Sequence, residues 1–407
     1  MESPNRDNNR EVEQLRGWAA LLVLFYHSMH SGAAAVGIKE WLDAGSNPLA
    51  AIVFEGHTGV ALFMVLSGYI LASGTFGKDI SYAGFLRNRF LRIFPLMVVV
   101  LVFSLYTAKD LDLGKIIAPF LLLANTKAAF TDPSGLAGTV WTISVEFQFY
   151  LIAPFLFLFA DRKGLRFLLS AMVLFWLLRI IVLLPLRDDP AELFRVSYFT
   201  IVGRINQFII GIGLAYLFET DRLTLEGSRK VGFVGLALAS IAATVLLTVL
   251  NRSGGIGAWH SWRIVYPEVE GLTGAAFIAA YLISRPFEGW RLGGLMSGIG
   301  TISFSIYILH YAIQREFWNI VYPHFGGMLT GLGGVFITTT LIAVPIVAMA
   351  ALSYKCIEKP FQDMRGRYLK DRAVPATALS PPLQPDGIQG LSSKLSLTSA
   401  AAPRSHE

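Results

Sequence analysis

Long apolar runs separated by short polar segments fill the chain from residue 15 to residue 353. Ten of them are long enough, or nearly so, for a helix that crosses a hydrocarbon core of ~30 Å. They occupy 15–33, 57–74, 93–108, 141–160, 166–186, 199–218, 231–250, 269–284, 296–313 and 330–353. A further run, Ile116 to Ala124, holds Pro119 and is too short to span, so it reads as re-entrant or interfacial. The pattern predicts an all-α polytopic membrane protein with about ten transmembrane helices. The first run lacks a small-residue cleavage pattern after it and reads as a retained span.

Composition agrees: 54% of the 407 residues are hydrophobic and 15% charged, against ~25% charged in soluble domains. Mean hydropathy is +0.55. With the amino terminus inside, the inner segments hold 21 lysines and arginines and the outer loops 9. That bias places both termini in the cytoplasm. It also accounts for most of the +6 net charge, so no nucleic-acid partner is implied. Residues 1–10 read as a cytoplasmic segment, 11–363 as the membrane domain and 364–407 as a largely disordered tail. The single cysteine, Cys356, excludes an intrachain disulfide.

Against that apolar background the ionisable residues stand out, because burying them in a bilayer is costly unless function or a partner keeps them there. Arg16 and His27 lie eleven residues apart in RGWAALLVLFYH. At ~100° per residue the two share one helix face, ~16 Å apart along the axis. They read as the axis of a catalytic site reaching into the membrane. Glu146, in WTISVEFQFY, is expected at a depth similar to that of His27, where a carboxylate would orient the imidazole of a general base. The alternative partners of Glu146 are Arg179 and Arg204, also within predicted spans.

RNRFLRIFP sets Arg87, Arg89 and Arg92 just before the third span, with Pro95 at the helix start. Three guanidiniums within two turns suit a phosphate-bearing ligand, or else anchor the chain at lipid headgroups. Arg16 at the same membrane level favours an anionic donor. His30, three residues after His27, lacks the further ligands a zinc site needs, so no metal is expected. His310 falls near the outer end of helix nine and is a candidate acceptor contact. Trp141, Trp259, Trp262, Trp318 and Tyr322 read as an interfacial belt, with Trp141 the best candidate for stacking on a sugar. Gly294 with Gly298 and Gly327 with Gly331 read as close helix contacts. His57 is assigned no role. Ser67 lacks the setting of a nucleophile elbow.

The order of these segments resembles the acyltransferase 3 family of membrane O-acyltransferases. Arg16 and His27 match its Arg-x10-His signature, and GVALFMVLSGY its helix-two stretch, with Tyr69 in place of the usual Phe. Arg89 and Arg92 match its Arg-x-x-Arg motif, Glu146 its helix-four acid, SFSIYILH its late element ending at His310, and IEKPF its Glu-x-Pro closure. The likeness runs from about residue 11 to 363.

The resemblance implies an acyl group, most often acetyl from acetyl-coenzyme A, passed to a hydroxyl of a polysaccharide or lipid-linked glycan. Arg16, Arg89 and Arg92 would then hold the donor, His27 and Glu146 would be catalytic, and His310 and Trp141 would touch the acceptor. A covalent acyl-histidine relay is a second route. The competing classes are an acyltransferase for small hydrophobic metabolites and a secondary transporter, the latter without the paired halves such a fold tends to show.

Overall fold

The computed structural model describes residues 4–372, apart from 6–8, 39–41, 108–112, 127–136, 221, 225–227, 259 and 326–329. Trp259, Gly327 and the tail from 373 therefore lie outside the described residues. In chain order the helices are α1 (Arg10–Ala35), α2 (Pro48–Phe54), α3 (Thr58–Ala72), α4 (Tyr82–Thr107), α5 (Leu113–Phe120), α6 (Ala137–Lys163), α7 (Leu165–Leu183) and α8 (Pro190–Phe199). They continue as α9 (Ile201–Glu219), α10 (Arg229–Arg252), α11 (Tyr266–Ser284), α12 (Arg291–Thr301), α13 (Ser303–Glu316), α14 (Gly331–Ser353) and α15 (Lys359–Asp363). The ten expected windows are largely helical, with 296–313 split between α12 and α13.

Among the described residues, five helical stretches are long and apolar enough to cross a membrane, and up to seven if each of two bent pairs counts as one. The bent pairs are α2 with α3, at 68°, and α12 with the helix that follows, at 73°. The helices α1 and α4, which carry Arg16, His27 and the arginine run, fall outside that set. This is an all-α membrane protein with one small exception: Lys78–Ile80 is a strand in a two-stranded ladder. Its neighbour Ser81 donates from its backbone N–H to the Tyr368 carbonyl at 2.9 Å.

The helices divide into a buried centre and an apolar periphery. The most apolar window of α8–α9 is 72% buried, whereas those of α7 and α10 are 22% and 17% buried. Leu174 and Ile181 on α7, with Val234 and Leu238 on α10, are exposed. An outward face of that kind suits lipid, where helices satisfy their own backbone groups.

At the centre, α3 and α9 approach through Gly68 and Gly211. A Cβ on Gly68 would collide with the Phe208 backbone, and one on Gly211 with the Val65 backbone. Small residues let helix backbones touch, the main source of packing energy in a bilayer. The glycine contacts expected at Gly294 and Gly298 are not the ones formed. Nothing lies within 4 Å of a Cβ placed on Gly298, and Gly300 instead packs against the backbone of Glu13 on α1.

Two further features concern the chain near the site. Pro95 sits inside α4, which begins at Tyr82, rather than at a helix start. Lacking an N–H, it leaves the Leu91 carbonyl without its intrahelical donor beside Arg92. The short run around Pro119 ends with Leu122 in the left-handed region, at φ 60°. It then packs along α6: Ala124 N–H donates to Ser144 Oγ at 3.1 Å, and the side-chain amides of Asn125 and Gln148 bond reciprocally at 3.1 and 3.2 Å.

Candidate active site

Two adjoining cavities run through the bundle centre. The first takes Arg16 from α1, Ser67 from α3, Arg89 and Arg92 from α4, Glu146 and Tyr150 from α6, and Tyr307 from α13. The spacing of Arg89 and Arg92, three residues apart on a helix, puts both on the same face. Arg89 is buried and lies 5.7 Å from the Phe85 ring centroid and 5.9 Å from that of Tyr150. Among the described residues its Nε has no hydrogen-bond partner. Arg16 spends one nitrogen, Nη1, on the Glu13 carboxylate at 3.0 and 2.9 Å. An apolar enclosure lined by three guanidiniums and one carboxylate offers an anion several charged donors.

Glu146 belongs to this arginine cavity. Its Oε1 accepts from Ser67 Oγ at 3.0 Å and from the Tyr150 hydroxyl. The expected pairing with His27 is thus replaced by two hydroxyl partners, because the α6 face carrying Glu146 turns toward α3 and α4. The alternative partners are not used either. Arg179 forms a fork with Glu268 at 2.9 and 2.6 Å, and Arg204 lies 3.5 Å from Glu270. Each spare intramembrane charge has its own neutralising partner, as the cost of lone charges in lipid requires.

Two late motifs close the first cavity's surroundings. Ser305 of SFSIYILH hydrogen-bonds Glu358 of IEKPF, and Gln362 donates to the same carboxylate at 3.2 Å. Glu358 is within electrostatic reach of Arg92 and Arg16. Just outside the spans, Arg365 has its pKa lowered to about 10 by burial, with Arg92 and Arg89 adding repulsion. Positive charge is therefore concentrated at this mouth.

The second cavity is walled by Tyr26, His27, His30, His57, Trp141 and Tyr198, with Val60 and Tyr307. Val60 and Tyr307 line both cavities, so they form the partition between them. His27 is held by His310: Nδ1 of one ring lies 2.9 Å from Nε2 of the other. Nδ1 of His310 lies 3.0 Å from the Ile306 carbonyl, one turn earlier on α13. A carbonyl only accepts, so a neutral His310 carries its proton on Nδ1 and accepts at Nε2. His27 then donates from Nδ1, and its Nε2 is left with a lone pair. That is the arrangement a general base needs, reached without a carboxylate.

The structure thus brings Arg16, Arg89, Arg92 and Glu146 to one cavity, and His27, His310 and Trp141 to the other or its wall. Trp141 is buried rather than interfacial. It packs edge-on to Phe199 at 4.8 Å, and the Arg204 guanidinium lies 5.9 Å from its centroid. Trp318 is also core, its indole N–H donating to Ser28 Oγ at 3.2 Å. The missed residues are His57, Tyr307 and Ser67. His57 precedes the glycine-rich start of α3, where spacing alone could not distinguish a loop histidine from a cavity wall.

Comparison with known proteins bears on what the two cavities serve. The chain is similar to the peptidoglycan O-acetyltransferase OatA of Listeria monocytogenes, 25% identical over 384 residues, covering 86% of this chain and 55% of the relative. It is 27% identical over 366 residues to the acyltransferase MdmB of Streptomyces mycarofaciens, covering 82% of this chain and 87% of that protein. It is 25% identical over 401 residues to the putative peptidoglycan O-acetyltransferase YrhL of Bacillus subtilis, covering 86% and 54%. The chain spans about half the length of the OatA and YrhL relatives. No solved structure matches it. The model of the acyltransferase domain family covers residues 9–348, a stretch that includes both cavities, and the chain belongs to that family, acyltransferase 3.

Proposed function

We propose that this protein is a membrane O-acyltransferase, moving an acyl group, acetyl in the first instance, from cytoplasmic acyl-coenzyme A to a hydroxyl of a glycan. The observation that carries this reading is the partition shared by the two cavities: an anion-binding chamber abuts an imidazole chamber across Val60 and Tyr307. The donor's phosphates are held by Arg16, Arg89 and Arg92, and its flexible arm carries the thioester past Tyr307. His27 Nε2 takes the proton of the acceptor hydroxyl, whose oxygen attacks the thioester carbonyl. The carbon–sulfur bond breaks, and the thiolate leaves with the proton returned by His27. His310 holds the ring, while Glu146, with Ser67 and Tyr150, shapes the donor chamber.

In this reading the chain has ten spans with both termini in the cytoplasm of a bacterial cell, following the charge bias of its connecting segments. A glycan acceptor is supported by the peptidoglycan O-acetyltransferases among its relatives. A small hydrophobic metabolite is the second reading, favoured by the aromatic walls of the second cavity. Incubating the purified full chain with radiolabelled acetyl-coenzyme A and isolated envelope glycan tests the proposal. Alkali-labile label should appear on the glycan with wild type and vanish with His27→Ala. Equal labelling by the two proteins would sink the mechanism.

A further inference from the structure

The bend between α2 and α3 builds a second imidazole site in the second cavity. In a continuous helix, residues two apart point in opposite directions and cannot bond. Here the chain turns by 68° at Glu55–Gly56–His57, and His57 Nε2 reaches Glu55 Oε2 at 3.1 Å. Both side chains are buried. Gly56 permits the turn to nest on α1, since a Cβ there would meet the Leu22 carbonyl oxygen at 2.6 Å.

Glu55 is fixed from its other oxygen by Asn251 Nδ2 at 2.8 Å. Asn251 in turn donates to the Leu42 carbonyl at 3.0 Å and accepts from Ala44 N–H at 2.8 Å. A carboxylate only accepts, so the proton of neutral His57 sits on Nε2 and its Nδ1 carries a lone pair. That Nδ1 is buried and has no hydrogen-bond partner among the described residues, on a ring that lines the same cavity as His27. Both imidazoles lie edge-on to Tyr26, at centroid distances of 5.0 Å for His27 and 5.5 Å for His57. A buried acceptor left unmade is costly, which makes it a place for a ligand donor.

We infer that His57 Nδ1 receives a hydrogen bond from a second hydroxyl of the acceptor, next to the one that His27 deprotonates. The site is thereby selective for a polyol over a lone alcohol. His57 positions substrate; Glu55 and Asn251 act through it by holding its tautomer. The assignment rests on the acyl-transfer reading above and narrows its substrate class.

The test uses the purified full chain in detergent, acetyl-coenzyme A as donor, and either chitotetraose or 1-octanol as acceptor. His57→Phe should raise KM for chitotetraose about tenfold, the effect of one lost hydrogen bond in a dry site. KM for acetyl-coenzyme A should stay within about twofold, and transfer to octanol should be unchanged. His57→Asn, which restores a polar atom near the Nδ1 position, should recover part of the loss. Glu55→Gln offers one acceptor to two donors and should shift the same KM in the same direction. An unchanged KM for chitotetraose in the folded variants, or equal rises for donor and acceptor, overturns the assignment. So does a wild-type enzyme that acetylates octanol but not the tetraose. Wild type that acetylates neither removes the acyl-transfer reading itself.

Discussion

His27 and His310 are joined ring to ring, Nδ1 to Nε2 at 2.9 Å, and the second ring is tied to the backbone of its own helix. The Ile306 carbonyl therefore favours the His310 tautomer that accepts from His27. His310→Ala removes the acceptor that fixes His27 and should lower kcat about a hundredfold, with little change in donor binding. His310→Gln, which can still accept at about the same place, should retain more activity. A wild-type kcat in His310→Ala would show that His27 needs no partner.

Arg89 and Arg92 should act on the donor alone. Arg92→Ala should raise KM for acetyl-coenzyme A about tenfold or more, the range for a lost charge-assisted bond, and leave acceptor KM alone. Arg92→Lys should recover little, because an ammonium lacks the fork that grips phosphate. Titrating donor and acceptor separately on one preparation decides the matter. Acceptor KM rising in step with donor KM would count against a dedicated donor chamber.

Tyr307 is shared by both cavities and sits 5.8 Å from the His310 ring and 6.2 Å from that of Phe63, centroid to centroid. Enlarging it should close the route without emptying the donor chamber. Tyr307→Trp is expected to keep acetyl-coenzyme A affinity within about threefold while transfer falls by about tenfold or more, a split read by equilibrium binding beside turnover. Transfer at the wild-type rate would place the route elsewhere.

The Arg179–Glu268 fork should matter for folding and not for chemistry. Glu268→Ala strands a fully buried guanidinium, which costs about 3–5 kcal/mol. Thermal unfolding should shift downward, and activity per folded molecule should stay near wild type. A catalytic defect at unchanged stability would mean that this pair reaches the site.

The helices were legible because hydrocarbon imposes a length and a composition on anything that crosses it, and every expected window holds a helix. Arg16, His27, Arg89 and Arg92 were legible for the complementary reason: charge and imidazole stand out where nearly everything else is apolar. Their division between two chambers was not. Glu146 was expected beside His27 from depth alone, but depth fixes one coordinate, and the rotation of α6 decides that its carboxylate meets Ser67 and Tyr150.

That the chain forms apolar helices, and which ionisable groups they carry, follows from local composition and helical period alone. The partners of those groups depend on how the helices pack. His310 is 283 residues from His27, and Glu55 reaches His57 only because two helices break between them. Hydrogen bonds act over about 3 Å, so a partner is chosen by helix packing and rotation, which no one-dimensional spacing encodes.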